Sequence, residues 1–275
     1  MPHYGPLILF GSGETARQGR QVQEEVLRDL PVPARVAILE TPAGFQPNAR
    51  FVAQKIQQFV EKSLQNYKPR VTLIEACRKG GPGDPDDPAV YGPLEDATYV
   101  LAGPGSPTYT VRHLAGTRTW ALVRERWAAG AGLALASAAA IALGAHVLPV
   151  YEIYKAGADL HWCPGLDLLR HVGLEGLAIV PHWDNREGGA DLDTSRGFMG
   201  MDRFARLRDL LPPDAVVLGL DEHTSCIVDV NAETVRVRGQ GKLTVIRDGA
   251  ERRYAAGEEL PLAALSRAPL LVHDD

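Results

Sequence analysis

Seven short runs of apolar residues set the limits on what this chain can become. They are PLILFG (6–11), RVAILET (35–41), VTLIEA (71–76), TYVLAG (98–103), GLALAS (132–137), LAIVPHW (177–183) and AVVLGL (215–220). Each is too short for a buried helix and apolar on both faces, as a strand covered from both sides must be. Amphipathic stretches separate most of them: 20–30, 49–64, 118–130 and 201–211. In 49–64 the apolar face reads as Phe51, Val52, Ile56, Phe59 and Val60. Strand–helix alternation of this kind predicts an α/β fold: a doubly wound, mostly parallel sheet flanked by helices. Past residue 225 the rhythm changes. CIVDV, TVRVRG and KLTVIRDG, parted by turn residues, predict a small antiparallel meander over about 226–250 on one edge of that sheet.

The 275 residues suit one domain spanning the whole chain, with no internal repeat. A net charge of −5 argues against nucleic-acid or anionic-membrane partners. Three scattered cysteines, without a C-x-x-C pair, predict a reducing compartment. The first residues lack a basic n-region and read as no signal peptide, so the expected location is cytoplasmic. The stretch 130–150 has the length of a membrane span, but it is rich in Ala and Gly, holds His146 and meets Pro149. It reads as something other than a membrane segment. A homodimer is expected on frequency alone.

Chemistry in such a fold gathers beyond the C-terminal ends of the strands. There the chain carries GSGET after the first strand, GPGSP after the fourth, Ser137 after the fifth, His182 closing the sixth, and Asp221 with Glu222 closing the seventh. Ser137 in ASAAA has small neighbours on both sides, as a nucleophile elbow needs. Taken alone, ASAAA favours an alanine-rich strand–helix junction, because both glycines of a G-x-S-x-G pattern are missing. His182 leads into the polar cluster Asp184, Asn185, Arg186 and Glu187, the composition of a rim loop, and a neutral imidazole there can take a proton from Ser137. An acid at the end of a buried strand needs a partner. Alternation along the strand favours Glu222 over Asp221 as that acid. In GPGSP, Gly105 and Ser106 keep backbone N–H groups for an oxyanion.

No cofactor is implied: GSGET is not G-x-G-x-x-G, and no P-loop lysine follows it. His161, Cys163, His182, Asp184 and His223 have zinc-ligand chemistry but no familiar ligand spacing. A metal-dependent hydrolase built on His182 and Asp184 is the third reading.

Across residues 6–245 the chain resembles the serine peptidases that include alpha-aspartyl dipeptidase and cyanophycinase. The resemblance rests on the glycine loop after the first strand, LAGPGS, LASAAA, GLDLL with AIVPHWDN, RFARL, and GLDEHTSCIVD, in the family's order. It implies a class I glutamine amidotransferase-like fold, with Ser137 as nucleophile, His182 as base and Glu222 as the orienting acid. Some members use an acid soon after the nucleophile helix, and Glu152 lies in that region. The match further implies the N–H groups of Ala138 and Gly105 as the oxyanion hole. Leu135 and Ala139 stand where the family has glycines, and Leu135 is expected to crowd the substrate channel or alter the loop. The expected function is hydrolysis of a small amide or short peptide. Family members favour aspartyl or β-aspartyl substrates, and Arg186, Arg196 and Lys155 are the cations available for such a carboxylate. The alternative is a binding or regulatory relative with a blunted elbow.

Overall fold

The computed structural model describes residues 2–267. Its strands and helices follow in chain order: β1 (Leu7–Phe10), α1 (Arg17–Leu27), β2 (Arg35–Leu39), α2 (Ala49–Ser63), β3 (Arg70–Ile74), α3 (Pro88–Tyr91) and β4 (Tyr99–Ala102). Next come α4 (Pro107–Leu114), α5 (Arg118–Ala128), β5 (Gly132–Ala136), α6 (Ala138–Leu143), β6 (His146–Val147), β7 (Cys163–Pro164) and β8 (Leu177–Val180). The chain continues through α7 (Ser195–Phe198), α8 (Gly200–Asp209), β9 (Val216–Leu220), β10 (Thr224–Asp229), β11 (Thr234–Gly239), β12 (Lys242–Arg247), β13 (Ala250–Ala255) and β14 (Glu259–Pro261). Each of the seven apolar runs contains a strand.

Those strands build two sheets, not one. Eight strands form the larger, in the order β14-β11-β10-β1-β5-β4-β2-β3. Its β1-β5-β4-β2-β3 part is parallel, while β10, β11 and β14 extend it antiparallel from β1. A four-stranded sheet, β13-β12-β9-β8, takes the sixth and seventh runs. The predicted C-terminal meander is therefore divided. β10 and β11 form a hairpin in the large sheet, whereas β12 crosses to pair with β9 and β13.

Side-chain alternation along β1 explains the double winding. Ile8 and Phe10 pack with Val22 and Val26 of α1 and Ala53, Ile56 and Val60 of α2. Leu7 and Leu9 pack on the opposite face with Val123 and Trp127 of α5 and Ala139, Ala140 and Leu143 of α6. Each Val, Leu, Ile or Phe among them, removed from water, contributes about 1.5–3 kcal/mol. The buried face of α2 is Ala49, Ala53, Ile56 and Val60, and Phe51, expected inside, is exposed. β3 is the outer strand of the sheet and only Ile74 in it is fully buried, because an edge strand has one covered neighbour rather than two.

The two sheets meet near the C-terminal ends of β1, β8 and β9. The Gly11 N–H donates to the Thr224 carbonyl at 2.8 Å, the His182 N–H to the Gly11 carbonyl at 3.3 Å, and the Trp183 N–H to the Leu220 carbonyl at 2.9 Å. Trp183 lies flat over Gly219, where a Cβ would come within 2.4 Å of the indole. This seam brings residues from both sheets to a common cavity. Among the described residues, no helix is long and apolar enough to cross a membrane.

Candidate active site

β5 ends at Ala136, and α6 begins at Ala138. The one residue between them, Ser137, has φ 51° and ψ −114°. For a residue with a Cβ this conformation costs about 1–3 kcal/mol, and such strain collects at functional sites. The chain holds it because Ala138, Ala139 and Ala140 let α6 pack closely behind the turn, all three being buried. The result lifts the Ser137 hydroxyl out of the sheet toward His182, and its Oγ lies 3.0 Å from His182 Nε2.

His182 follows β8 and is also left-handed, with φ 54°. Its Nδ1 is 3.0 Å from Glu222 Oε1. With Nδ1–H donating to the carboxylate, Nε2 is left to accept the Ser137 proton. Glu222 receives a second hydrogen bond, from Asn185 Nδ2 at 2.8 Å, and Asn185 is itself buried. Asp184 Oδ1 accepts the Glu222 N–H at 2.7 Å, which fixes the acid's backbone. Burial raises the Glu222 carboxyl, but the bonds from Asn185 and His182, with the His182 charge, outweigh it and leave the pKa below the ordinary value.

Sequence reasoning selected Glu222 by strand alternation, yet β9 stops at Leu220 and Glu222 lies in the turn before β10. The turn itself decides the matter. Asp221 Oδ2 accepts the Lys242 N–H at 2.8 Å, pointing away along β12, and Glu222 is left to face His182. Glu152, the alternative acid, is not bonded to His182. It accepts a hydrogen bond from Thr108 Oγ1, and its Oε2 is buried without a partner.

Gly105 and Ala138 border the same recess as Ser137 and His182. The Ala138 N–H opens a helix, where no intrahelical acceptor exists. Neither it nor the Gly105 N–H has an acceptor among the described residues. Ser106, the other candidate donor, gives its N–H to the Pro42 carbonyl at 2.8 Å. Gly105 must be glycine: its φ is 153°, and a Cβ would meet the Pro42 carbonyl oxygen at 1.8 Å.

The cavity over Ser137 has a volume of about 380 Å³ and opens between Ser12, Glu14, Tyr151, Tyr154, Lys155 and Phe198. A smaller recess beside Ser137 and Ala138 is walled by Pro107, Ile141, Val150 and Phe198. Phe198 reaches it through three successive left-handed residues, Arg196, Gly197 and Phe198, and its ring centroid lies 5.5 Å from that of His182. Tyr151 and Tyr154 project from a π-helical turn, Tyr151–Lys155. Such turns are frequent at functional sites.

Of the three predicted carboxylate-binding cations, only Lys155 borders the cavity. Arg196 stacks on the Trp183 ring at 4.1 Å and donates to the Trp183 carbonyl at 2.8 Å, so its charge is used within the fold. Arg186 is exposed and does not line the cavity. Leu135 does not crowd the channel. It lies beside Leu9 and Ala102 in the sheet register and packs into the core with them. Among the described residues, no three His, Cys, Asp or Glu side chains gather as a metal site. Both ring nitrogens of His182 already face protein partners, Ser137 and Glu222.

Sequence reasoning missed Asn185 as the second partner of Glu222, and it missed Glu14, Phe198, Tyr151 and Tyr154 as cavity walls. Their positions arise from loops and single short turns, which carry no periodic signal. Asn185 alone left a trace, as a polar residue directly beyond a buried strand.

No protein-family model and no curated protein matches the sequence. Solved structures do match in shape. The chain is similar to a peptidase from an acI-B1 Actinobacterium, with a TM-score of 0.74, 22% identity, and coverage of 95% of this chain and 98% of that one. It is also similar, at a TM-score of 0.51 and 13% identity over 89% of this chain and 98% of that one, to a Listeria monocytogenes EGD-e protein provisionally described as Peptidase E. The shared property at these identities is the fold: the large mixed sheet flanked by helices, seen in these peptidase structures.

Proposed function

We propose that this protein is a serine hydrolase that cleaves short peptides or small amides. The observation that carries this reading is one hydrogen-bonded chain, Ser137 Oγ to His182 Nε2 and His182 Nδ1 to Glu222, set beside two backbone N–H groups without acceptors. In this reading Ser137 attacks the substrate carbonyl as His182 takes its proton. The N–H groups of Gly105 and Ala138 bind the oxyanion as it forms. Glu222 holds the imidazole in the correct tautomer and stabilises it once protonated. His182 then returns the proton to the leaving amine, and water repeats the sequence on the acyl-enzyme. The fold shared with two peptidase structures agrees with this chemistry. An aspartyl or β-aspartyl side chain would be held by Lys155, the cation bordering the cavity. The free cysteines Cys77, Cys163 and Cys226 support a reducing compartment such as the cytoplasm.

The test is labelling with a fluorophosphonate probe and hydrolysis of a panel of short peptides. Ser137→Ala is expected to abolish labelling and to lower turnover by about a million-fold. Equal labelling of variant and wild type rules out Ser137 as the nucleophile.

A further inference from the structure

The loop after β1 carries a carboxylate that the proposed mechanism does not use. Glu14 borders the cavity together with Ser137 and His182. Its side chain has no hydrogen-bond or ion-pair partner on any other described residue, and the carbonyl of Glu14 accepts a hydrogen bond from Gln23 Nε2 at 2.7 Å. Burial pushes the carboxyl above its ordinary pKa, against the opposing pull of its own backbone N–H and of His182. A half-buried carboxylate without a cation is costly to keep. Here the loop leaves it little freedom to turn away.

Four contacts hold that loop. Gln23, fully buried, grips the Glu14 carbonyl and accepts from the equally buried Tyr99 hydroxyl at 3.2 Å. Ser12 Oγ accepts the His223 N–H at 2.9 Å. The Ala16 N–H donates to the Gly13 carbonyl at 2.9 Å. Gly13 itself is left-handed, φ 74°, and a Cβ there would lie 2.6 Å from His223 Nδ1. A buried glutamine–tyrosine pair thus aligns the loop, and the loop points an unpaired acid at the reacting centre. The other ionic groups on the wall are Glu187 and Lys155, both exposed, so the carboxylates outnumber the cation there.

We propose that Glu14 binds the free α-ammonium group of the substrate and so is the residue that sets a preference for a free amine over a blocked one. This rests on the serine hydrolase reading above. The ammonium supplies the cation that the fold withholds, and a charge-assisted hydrogen bond to Glu14 fixes how far the chain extends past Ser137. The scissile carbonyl is then the one belonging to the amine-bearing residue, so a blocked or internal peptide has no counterpart for Glu14.

The experiment compares aminoacyl-coumarin amides with their N-acetyl counterparts, on wild type and on Glu14→Gln. Wild type is expected to favour the free amine by about 10- to 100-fold in kcat/KM. Glu14→Gln should remove most of that preference, read as the ratio of kcat/KM for the free-amine and N-acetyl substrates, in which any change in the reactivity of Ser137 cancels. Equal cleavage of free and acetylated substrates by wild type overturns the inference. So does a Glu14→Gln variant that loses activity on both by the same factor. Both results leave the nucleophile assignment intact. Labelling that persists in Ser137→Ala overturns the hydrolase reading, and this inference with it.

Discussion

Two carboxylates beside the open end of the hairpin β10–β11 have the same exposure and opposite surroundings. Glu222 precedes β10 and meets an imidazole and a side-chain amide. Glu25 projects from α1 and meets two guanidinium groups of β11, Arg238 at 2.8 Å and Arg236 at 3.2 Å. Each side chain is 30% exposed. For each, burial acts to raise the pKa and the partners overcome it, Arg238 foremost for Glu25, so both carboxyls sit below their ordinary value. The same electrostatic outcome is reached by different means. Arginine keeps its charge at every relevant pH, so Glu25 is locked into a permanent clasp between helix and sheet. Imidazole can take up a proton from one partner and pass it to another, so Glu222 can steady a charge that comes and goes. The partner, not the shift, separates a structural carboxylate from one suited to catalysis.

Three substitutions test that contrast, from the largest expected effect to the smallest. Glu222→Gln keeps the shape but favours the wrong imidazole tautomer, and kcat should fall about ten-thousand-fold with little change in melting temperature. A fall of less than ten-fold would move Glu222 to the structural class beside Glu25. Asn185→Ala removes one of the two donors to the Glu222 carboxylate. Steady-state kinetics should show kcat/KM lower by about ten-fold. Unchanged kinetics would leave His182 as the sole partner that matters.

Glu25→Gln should leave kcat/KM untouched and reduce unfolding free energy by about 1 kcal/mol, read from the denaturant midpoint at neutral pH. Because the folded-state pKa of Glu25 is lowered, its contribution is present in full above the unfolded carboxyl value. It is lost as pH falls through the lowered one. The stability gap between wild type and Glu25→Gln should therefore begin to close near pH ~4 and vanish below the native value. A gap that persists in acid would mean that the clasp works by packing instead of charge.

The strands of the fold were readable in the chain because each short run of apolar residues must be covered on both faces, whatever its neighbours. Ser137 and His182 were readable for a related reason: a polar residue that ends such a run is placed at the rim by the run itself. Leu135 lay within reach of the same logic. Its position inside an apolar run assigns it to the core, and the core is where it packs.

What the sequence by itself determined was therefore local: which segments extend, which coil, and which polar groups stand at their ends. The tertiary structure decided how those ends meet. The division of the strands between two sheets, the turn that sends Asp221 toward Lys242 and Glu222 toward His182, and the stacking that takes Arg196 out of the site all depend on contacts across the chain. So does the placement of Glu14 on the cavity wall. Periodicity reports burial of a segment against something; it carries no record of which partner, and a carboxylate's function is set by its partner.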